Sequence, residues 1–181
     1  VALDPGDLVN KMISVPLQTP RLLLHPLSLA NLQDILAGRA PQGCPPIDPQ
    51  ALDEPSCMAM QRKVARMEQL DVDEHVWQTY FLITLKTTGV GIGFIGFKGP
   101  PDAEGLVEVG YGLAEAHRRQ GYMSEALAGV VAWAANDPRC KGITAMHVLK
   151  SNTGSQKVLA NCGFEVSGET PLSLHYIRRF K

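Results

Sequence analysis

The chain has 181 residues, with 17 Lys and Arg against 18 Asp and Glu and a formal net charge of −1. That length suffices for one domain with its own core, and the near-balance of charge excludes a global basic field for nucleic acid or an anionic membrane. Cys44, Cys57, Cys140 and Cys162 lack zinc or redox spacing, no apolar run reaches the ~18 residues of a membrane span, and Asp4 and Asp7 interrupt any apolar leader. The composition therefore predicts a single domain over residues 1–181, soluble and cytoplasmic, with reduced thiols, no metal, and neither nucleic acid nor membrane as a partner.

Residues 1–17 show no strong period and read as an irregular arm. Arg21 to Leu24 makes a short strand stopped by Pro26. Ser28 then suits the N-cap of a helix whose apolar face is Leu29, Leu32, Ile35 and Leu36, with Gly38 as its stop. Between Arg39 and Ser56 stand Pro41, Pro45, Pro46, Pro49 and Pro55, a density that predicts a surface loop or lid-like segment. A helix from about Met58 to Leu70 is expected to turn Met60, Val64 and Met67 inward and Arg62, Lys63 and Arg66 outward as a solvated basic face.

Two apolar strands, Trp77 to Lys86 and Val90 to Lys98, flank the turn Thr87-Thr88-Gly89, and a second hairpin loop runs from Gly99 to Gly105. From Leu106 the period is two: Val107, Val109, Tyr111 and Leu113 alternate with Glu108, Gly110 and Gly112. A basic loop follows at Arg118-Arg119-Gln120-Gly121, then a helix with Leu127, Val130, Val131 and Ala134 on one side, ended by Asp137-Pro138. Ile143 to Leu149 is a strand, Asn152 caps a short helix with Val158 and Leu159 inward, and Gly163 closes it. Phe164 to Val166 and Leu172 to Phe180 are the last strands. This order predicts an α+β fold, a mixed, mostly antiparallel central sheet flanked by helices.

Gly91-Ile92-Gly93-Phe94-Ile95-Gly96 matches the dinucleotide fingerprint G-x-G-x-x-G, but that motif must open a helix, and Phe97-Lys98-Gly99-Pro100-Pro101 forbids one. The loop at Arg118 to Met123 has the better context. Amides at a helix start are unpaired and point outward, the helix dipole favours an anion, and Gly121 lets it come close.

Arg118-Arg119-Gln120-Gly121-Tyr122-Met123 resembles the acetyl-CoA loop of the GNAT superfamily of N-acetyltransferases, written Q/R-x-x-G-x-G/A, with Met123 in place of its last small residue. Two more blocks resemble the ribosomal-protein N-terminal acetyltransferase branch. Thr19-Pro20-Arg21-Leu22-Leu23-Leu24 is similar to the opening of T-x-R-L-x-L-R-P-L, with His25 at the second Arg. Asn152 to Val158, continuing to Cys162-Gly163-Phe164, is similar to N-x-x-S-x-x-V with its terminal G-F.

The resemblance implies a GNAT fold and transfer of an acetyl group from acetyl-CoA directly to an amine acceptor, with acetyl-CoA as co-substrate and no covalent acyl-enzyme. It implies that the pyrophosphate meets the amides of Arg119, Gln120, Gly121, Tyr122, Met123 and Ser124 beside Arg118. It also implies that pantetheine pairs with Leu113, that Asn152 contacts the cofactor, and that Lys157 or an arginine meets the 3′-phosphate. Glu108 shares its face with two glycines and is the candidate proton acceptor; Ser155 is the candidate partner of the departing sulfur, since Leu159 stands where many relatives carry a tyrosine. Tyr111 is read as packed in the core, His117 as solvated beside the loop, and His147 as a core or edge residue. Met123 and Leu159 keep open a CoA-binding module without catalysis, and the oligomeric state stays open, a homodimer included.

Overall fold

The computed structural model describes residues 15–181, which fold around an eight-stranded sheet. In chain order the strands are β1 (Leu17–Gln18), β2 (Leu22–Pro26), β3 (Tyr80–Leu85), β4 (Gly91–Phe97), β5 (Leu106–Leu113), β6 (Gly142–Leu149), β7 (Glu165–Glu169) and β8 (Ser173–Arg179). The helices are α1 (Leu29–Leu36), α2 (Glu54–Met67), the single turn α3 (His75–Gln78), α4 (Tyr122–Ala134) and α5 (Thr153–Asn161). Spatially the strands run β1-β2-β3-β4-β5-β6-β8-β7, antiparallel throughout except between β5 and β6. This is the mixed, mostly antiparallel α+β sheet that the order of elements predicts.

The period-two pattern of β5 explains how the sheet is covered, because successive side chains point to opposite faces. Val107 and Val109 are buried against Leu127, Val130 and Val131 of α4. On the other face α1 and α2 pack Leu32, Ile35, Met60 and Met67 over Leu82 and Phe94. Burying any one of these large side chains contributes roughly 1.5–3 kcal/mol, so the two helix layers fix the strands between them. The pairing of β4 with β5 keeps a constant register from Gly93↔Leu113 to Phe97↔Val109, without a bulge. Glu108, Gly110 and Gly112 therefore share one face.

Parallel pairing of β5 with β6 covers only Leu106, Val107 and Glu108 against Gly142, Ile143 and Thr144. Beyond it β6 follows β8, its register broken between Ala145 and Val148 at exposed His147, whose φ is 56°. Val109 to Leu113 keep β4 on one side and, among the described residues, have no strand on the other. The sheet opens there into a cleft.

The glycine run of β4 has its explanation in close packing. A Cβ at Gly93 would run into the Gly112 carbonyl and one at Gly96 into the Thr79 carbonyl, so the neighbouring chains require glycine. β4 is a buried strand followed by a turn, which removes the dinucleotide reading.

Four expectations change. Residues 1–14 of the expected arm lie outside the described residues, and Leu17 belongs to β1. Helix α2 begins at Glu54, not Met58, because Asp53 caps it, accepting from the Ser56 N–H at 2.9 Å, and Pro55 sits in the first turn where no N–H is needed. Trp77 lies in α3, so β3 starts only at Tyr80. The proline-rich segment is also fastened to the sheet. Ile47 bridges Gly91, whose N–H donates to the Pro46 carbonyl at 2.8 Å and whose carbonyl accepts from Asp48 N–H at 2.8 Å.

Candidate functional site

β5 leads through the turn Glu115–His117 into the loop ending at Gly121, the N-cap of α4. Arg119 and Gly121 are both left-handed, with φ of 61° and 79°. Glycine adopts that region freely, whereas Arg119 does so at a cost of about 1–2 kcal/mol. Among the described residues no side chain caps the helix, and the Glu125 N–H closes its turn onto the Gly121 carbonyl, at 3.1 Å. The N–H groups of Tyr122, Met123 and Ser124 thus have no acceptor within the helix. They form an uncapped, positively polarised end suited to phosphate oxygens.

The loop is braced from outside by Arg21. Its Nη1 donates to the Gln120 carbonyl at 3.0 Å and its guanidinium stands 4.5 Å from the centre of the Tyr122 ring. Glu125 accepts from the Thr19 hydroxyl at 2.5 Å, the Arg21 N–H at 2.7 Å and the Arg21 Nε at 2.6 Å. Burial alone would raise the Glu125 carboxyl, but these donors outweigh it and hold it below the usual carboxylate range. The Thr19-Pro20-Arg21 block and the glycine loop, far apart in sequence, therefore meet at Glu125. Neither block announces that residue by itself.

The Lys98 N–H to Glu108 carbonyl and Ala114 N–H to Ile92 carbonyl bonds, both 2.9 Å, mark the alternate β5 residues whose backbone groups face β4. By the antiparallel alternation, the groups of Val109, Tyr111 and Leu113 face the cleft. Arg118 Nε reaches the Leu113 carbonyl there, at 3.1 Å. Apart from that carbonyl, this edge is placed to pair with an extended amide chain beside the anion site.

Opposite stands α5. Asn152 caps it, its Oδ1 accepting from the Ser155 N–H at 3.0 Å, and Asn152, Ser155 and Lys157 all line the cleft. Tyr111 packs against the core as expected, yet it also lines the cleft and donates its hydroxyl to the Ser155 carbonyl at 3.5 Å. Burial raises its phenol to about 12, so the group remains a donor at neutral pH. Leu159 is fully buried.

Met123 turns its side chain into the core and is 6% exposed, and the residue also borders the cleft. The long side chain that departs from the motif's small residue is thus packed inward. Gln120 is not among the residues lining the cleft, and its side-chain amide donates to the Ala116 carbonyl at 3.0 Å within the loop. Its contribution is to shape the loop. His117 is not merely solvated either, since its Nε2 lies 3.3 Å from Asp48 Oδ2 and ties the proline-rich segment to the loop. Asp53, Pro55 and Ser56 from that segment supply a further wall of the cleft, which encloses about 1160 Å³.

A second chamber of about 460 Å³ lies beneath α2, and Ala59 and Tyr80 line both cavities. Glu108 lines this chamber, its carboxylate paired with the Lys98 ammonium. A Cβ at Gly110 would come no nearer than 3.7 Å to Lys98, and one at Gly112 no nearer than 3.9 Å to Ser56, so this face of β5 is open. Lys63, expected outside, is 5% exposed. Its ammonium donates to the carbonyls of Gln78 (2.7 Å), Thr79 (3.3 Å) and Phe97 (2.5 Å). Burial, then the charges of Lys98 and Arg66, push it down to about 7, so the three carbonyls hold an ammonium whose charge its surroundings oppose. Among the described residues no cluster of His, Cys, Asp or Glu is arranged for a metal ion, and no helix is long and apolar enough to cross a membrane.

A splayed mixed sheet, an uncapped helix start and a strand edge thus converge on one cleft, the arrangement of a site for an extended anionic ligand. The family model for an acetyltransferase (GNAT) domain matches residues 21–165, and the chain belongs to that family. It is 36% identical over 86 residues to the uncharacterized N-acetyltransferase YjdG of Bacillus subtilis; the match takes in 48% of this chain and 51% of that protein, about half of each. Among solved structures, an acetyltransferase from Agrobacterium tumefaciens is 25% identical with a TM-score of 0.61, covering 91% of this chain and 94% of that one. The ribosomal α-N-protein acetyltransferase RimL, solved with coenzyme A, has a TM-score of 0.62 over 91% of this chain and 97% of its own; at 17% identity the likeness is one of fold.

Proposed function

We propose that the chain transfers an acetyl group from acetyl-CoA to a primary amine, by direct attack with both substrates bound. The observation that carries this reading is the convergence of the uncapped Tyr122, Met123 and Ser124 amides with the free edge of β5 in one cleft. The coenzyme A bound to RimL, a protein of the same fold, agrees with it. Bound there, acetyl-CoA supplies an acetyl group activated as a thioester. The loop amides with Arg118 and Arg119 hold its phosphates, the backbone of Val109 to Leu113 aligns the pantetheine arm, and Asn152 and Lys157 close the opposite wall.

The amine enters from the chamber beneath α2, reaching the open glycine face of β5 beside Glu108. To become a nucleophile it must lose a proton. An α-amino group has a reference pKa near ~8, so a modest base suffices, and the Glu108 carboxylate takes that proton directly or through water. Ser155 and the protonated Tyr111 stand on the cofactor side, where a hydrogen bond favours departure of the sulfur.

Two measurements test the reading. Acetyl-CoA at about a hundred times its Kd stabilises the protein by about 2.7 kcal/mol, seen as a raised melting temperature. Incubation with a panel of amines and N-terminal peptides yields products heavier by one acetyl group. Stabilisation without transfer to any amine favours the second reading, a cofactor-binding module without catalysis, which the burial of Leu159 supports. An unchanged melting temperature removes both.

A further inference from the structure

The chamber beneath α2 carries a charge pattern that proton removal by Glu108 does not require. Arg62, Lys63, Arg66 and Lys98 converge there on two carboxylates, Asp102 and Glu108. Each acid has a partner, but among the described residues only Glu108 has a cationic one. Asp102 Oδ1 accepts from the N–H groups of Glu104 and Leu106, each at 2.9 Å, and Glu108 pairs with Lys98. Lys63 and Arg66 donate to backbone carbonyls, Arg66 to that of Lys98 at 3.1 Å, so no acid neutralises either charge. Arg62 is exposed and forms no ion pair among the described residues.

We infer that the acceptor is a primary amine that also carries a carboxylate or phosphate, its anion held by Arg62 and Arg66 while its amine lies against Glu108. This rests on the acetyl-transfer reading above. A chamber with excess positive charge attracts such a molecule and disfavours a diamine, whose second ammonium meets four basic groups against two carboxylates. The same charges act on the reacting end, because like charges disfavour the ammonium form and raise the share of neutral amine. That the potential is felt locally is visible in the depressed Lys63 ammonium, to which Lys98 and Arg66 contribute after burial. A volume of about 460 Å³ admits a small molecule or the first residues of a peptide.

The test compares acceptors that differ only in charge: γ-aminobutyrate, butylamine and putrescine; phosphoethanolamine and ethanolamine; and short peptides with an acidic, neutral or basic second residue. The anionic carriers exceed their neutral partners in kcat/KM by about tenfold or more, a margin that narrows as salt is added. Whether the free acids or the acidic peptides gain most identifies the source of the amine. Arg62→Lys keeps the preference, Arg62→Glu turns it toward putrescine, and combining Arg62→Gln with Arg66→Gln brings the ratio toward one, each measured on protein that melts like the wild type. Neutral or basic amines used as well as acidic ones, or a preference unmoved by Arg62→Glu, overturns the inference and leaves acetyl transfer standing. If no acceptor of any charge gains an acetyl group, the transfer reading fails and this inference fails with it.

Discussion

The cleft over the glycine loop and the chamber beneath α2 share Ala59 and Tyr80, yet they are made of different materials. The cleft relies on backbone groups, the amides at the start of α4 and the outer edge of β5, set among side chains such as Arg118, Asn152 and Lys157. The chamber presents side chains, two carboxylates and four basic groups, the latter from α2 and the end of β4. A backbone site depends on conformation, on left-handed Arg119 and Gly121 and on the splay of β5 from β6. It tolerates changes of side chain that keep the path of the chain. A side-chain site is lost group by group.

Glu108→Gln strikes the chamber where the largest effect is expected. If the carboxylate removes the proton, kcat falls by about a hundredfold, near 3 kcal/mol of barrier, while the Kd for acetyl-CoA holds. Wild-type turnover in this variant would end the role assigned to Glu108 and with it the division of labour between the cavities. The cleft answers to the opposite treatment. Gly121→Val forces a β-branched residue to φ near 79° and brings its Cβ to about 3.3 Å from Arg21 Nη2. Calorimetry with acetyl-CoA is expected to show a loss of about 2 kcal/mol in binding; an unaltered Kd would mean that the cofactor does not depend on this loop.

The same contrast explains what could be read in the sequence. The alternation of β5, the stripe on α4, the caps at Ser28 and Asn152 and the left-handed Gly163 are local patterns, and each stands where it is predicted. The cleft's loop was legible for that reason. The chamber was not. Lys63 lies three residues after Met60 and four before Met67, on the buried stripe of α2, so its position was visible, but its charge points outward by ordinary reckoning. What buries it is a set of three carbonyls from Gln78, Thr79 and Phe97, which only the folded chain brings together. The wall formed by Asp53 and Ser56 was hidden likewise, because the early start of α2 depends on a cap within a proline-rich stretch.

A smaller effect is expected where the cleft is braced. Glu125→Gln keeps an acceptor for Thr19 and Arg21 but removes the charge, and should cost about 1 kcal/mol of stability at neutral pH. The folded carboxyl titrates below its usual range, so its contribution is present above the unfolded value near ~4.3 and is lost as pH falls through the lower folded value. Denaturant melts of both proteins should therefore converge on acidification. A gap that stays constant or widens below pH ~4 would assign the stabilisation to packing rather than charge.

The smallest effect is predicted for Met123→Leu, at the residue that departs most visibly from the family's loop. Met123 is buried against the α4 side of the core, so a side chain of similar volume should change stability by less than about 1.5 kcal/mol and leave acetyl-CoA affinity as it was. Shortening it to Ala should lower the melting temperature, again with little change in affinity, because the proposed cradle uses the amide of residue 123 and not its thioether. If Met123→Ala instead tightened acetyl-CoA binding, the side chain would be an obstruction in the cleft. The backbone construction of that cavity would then be incomplete, and the module without catalysis would become the better reading.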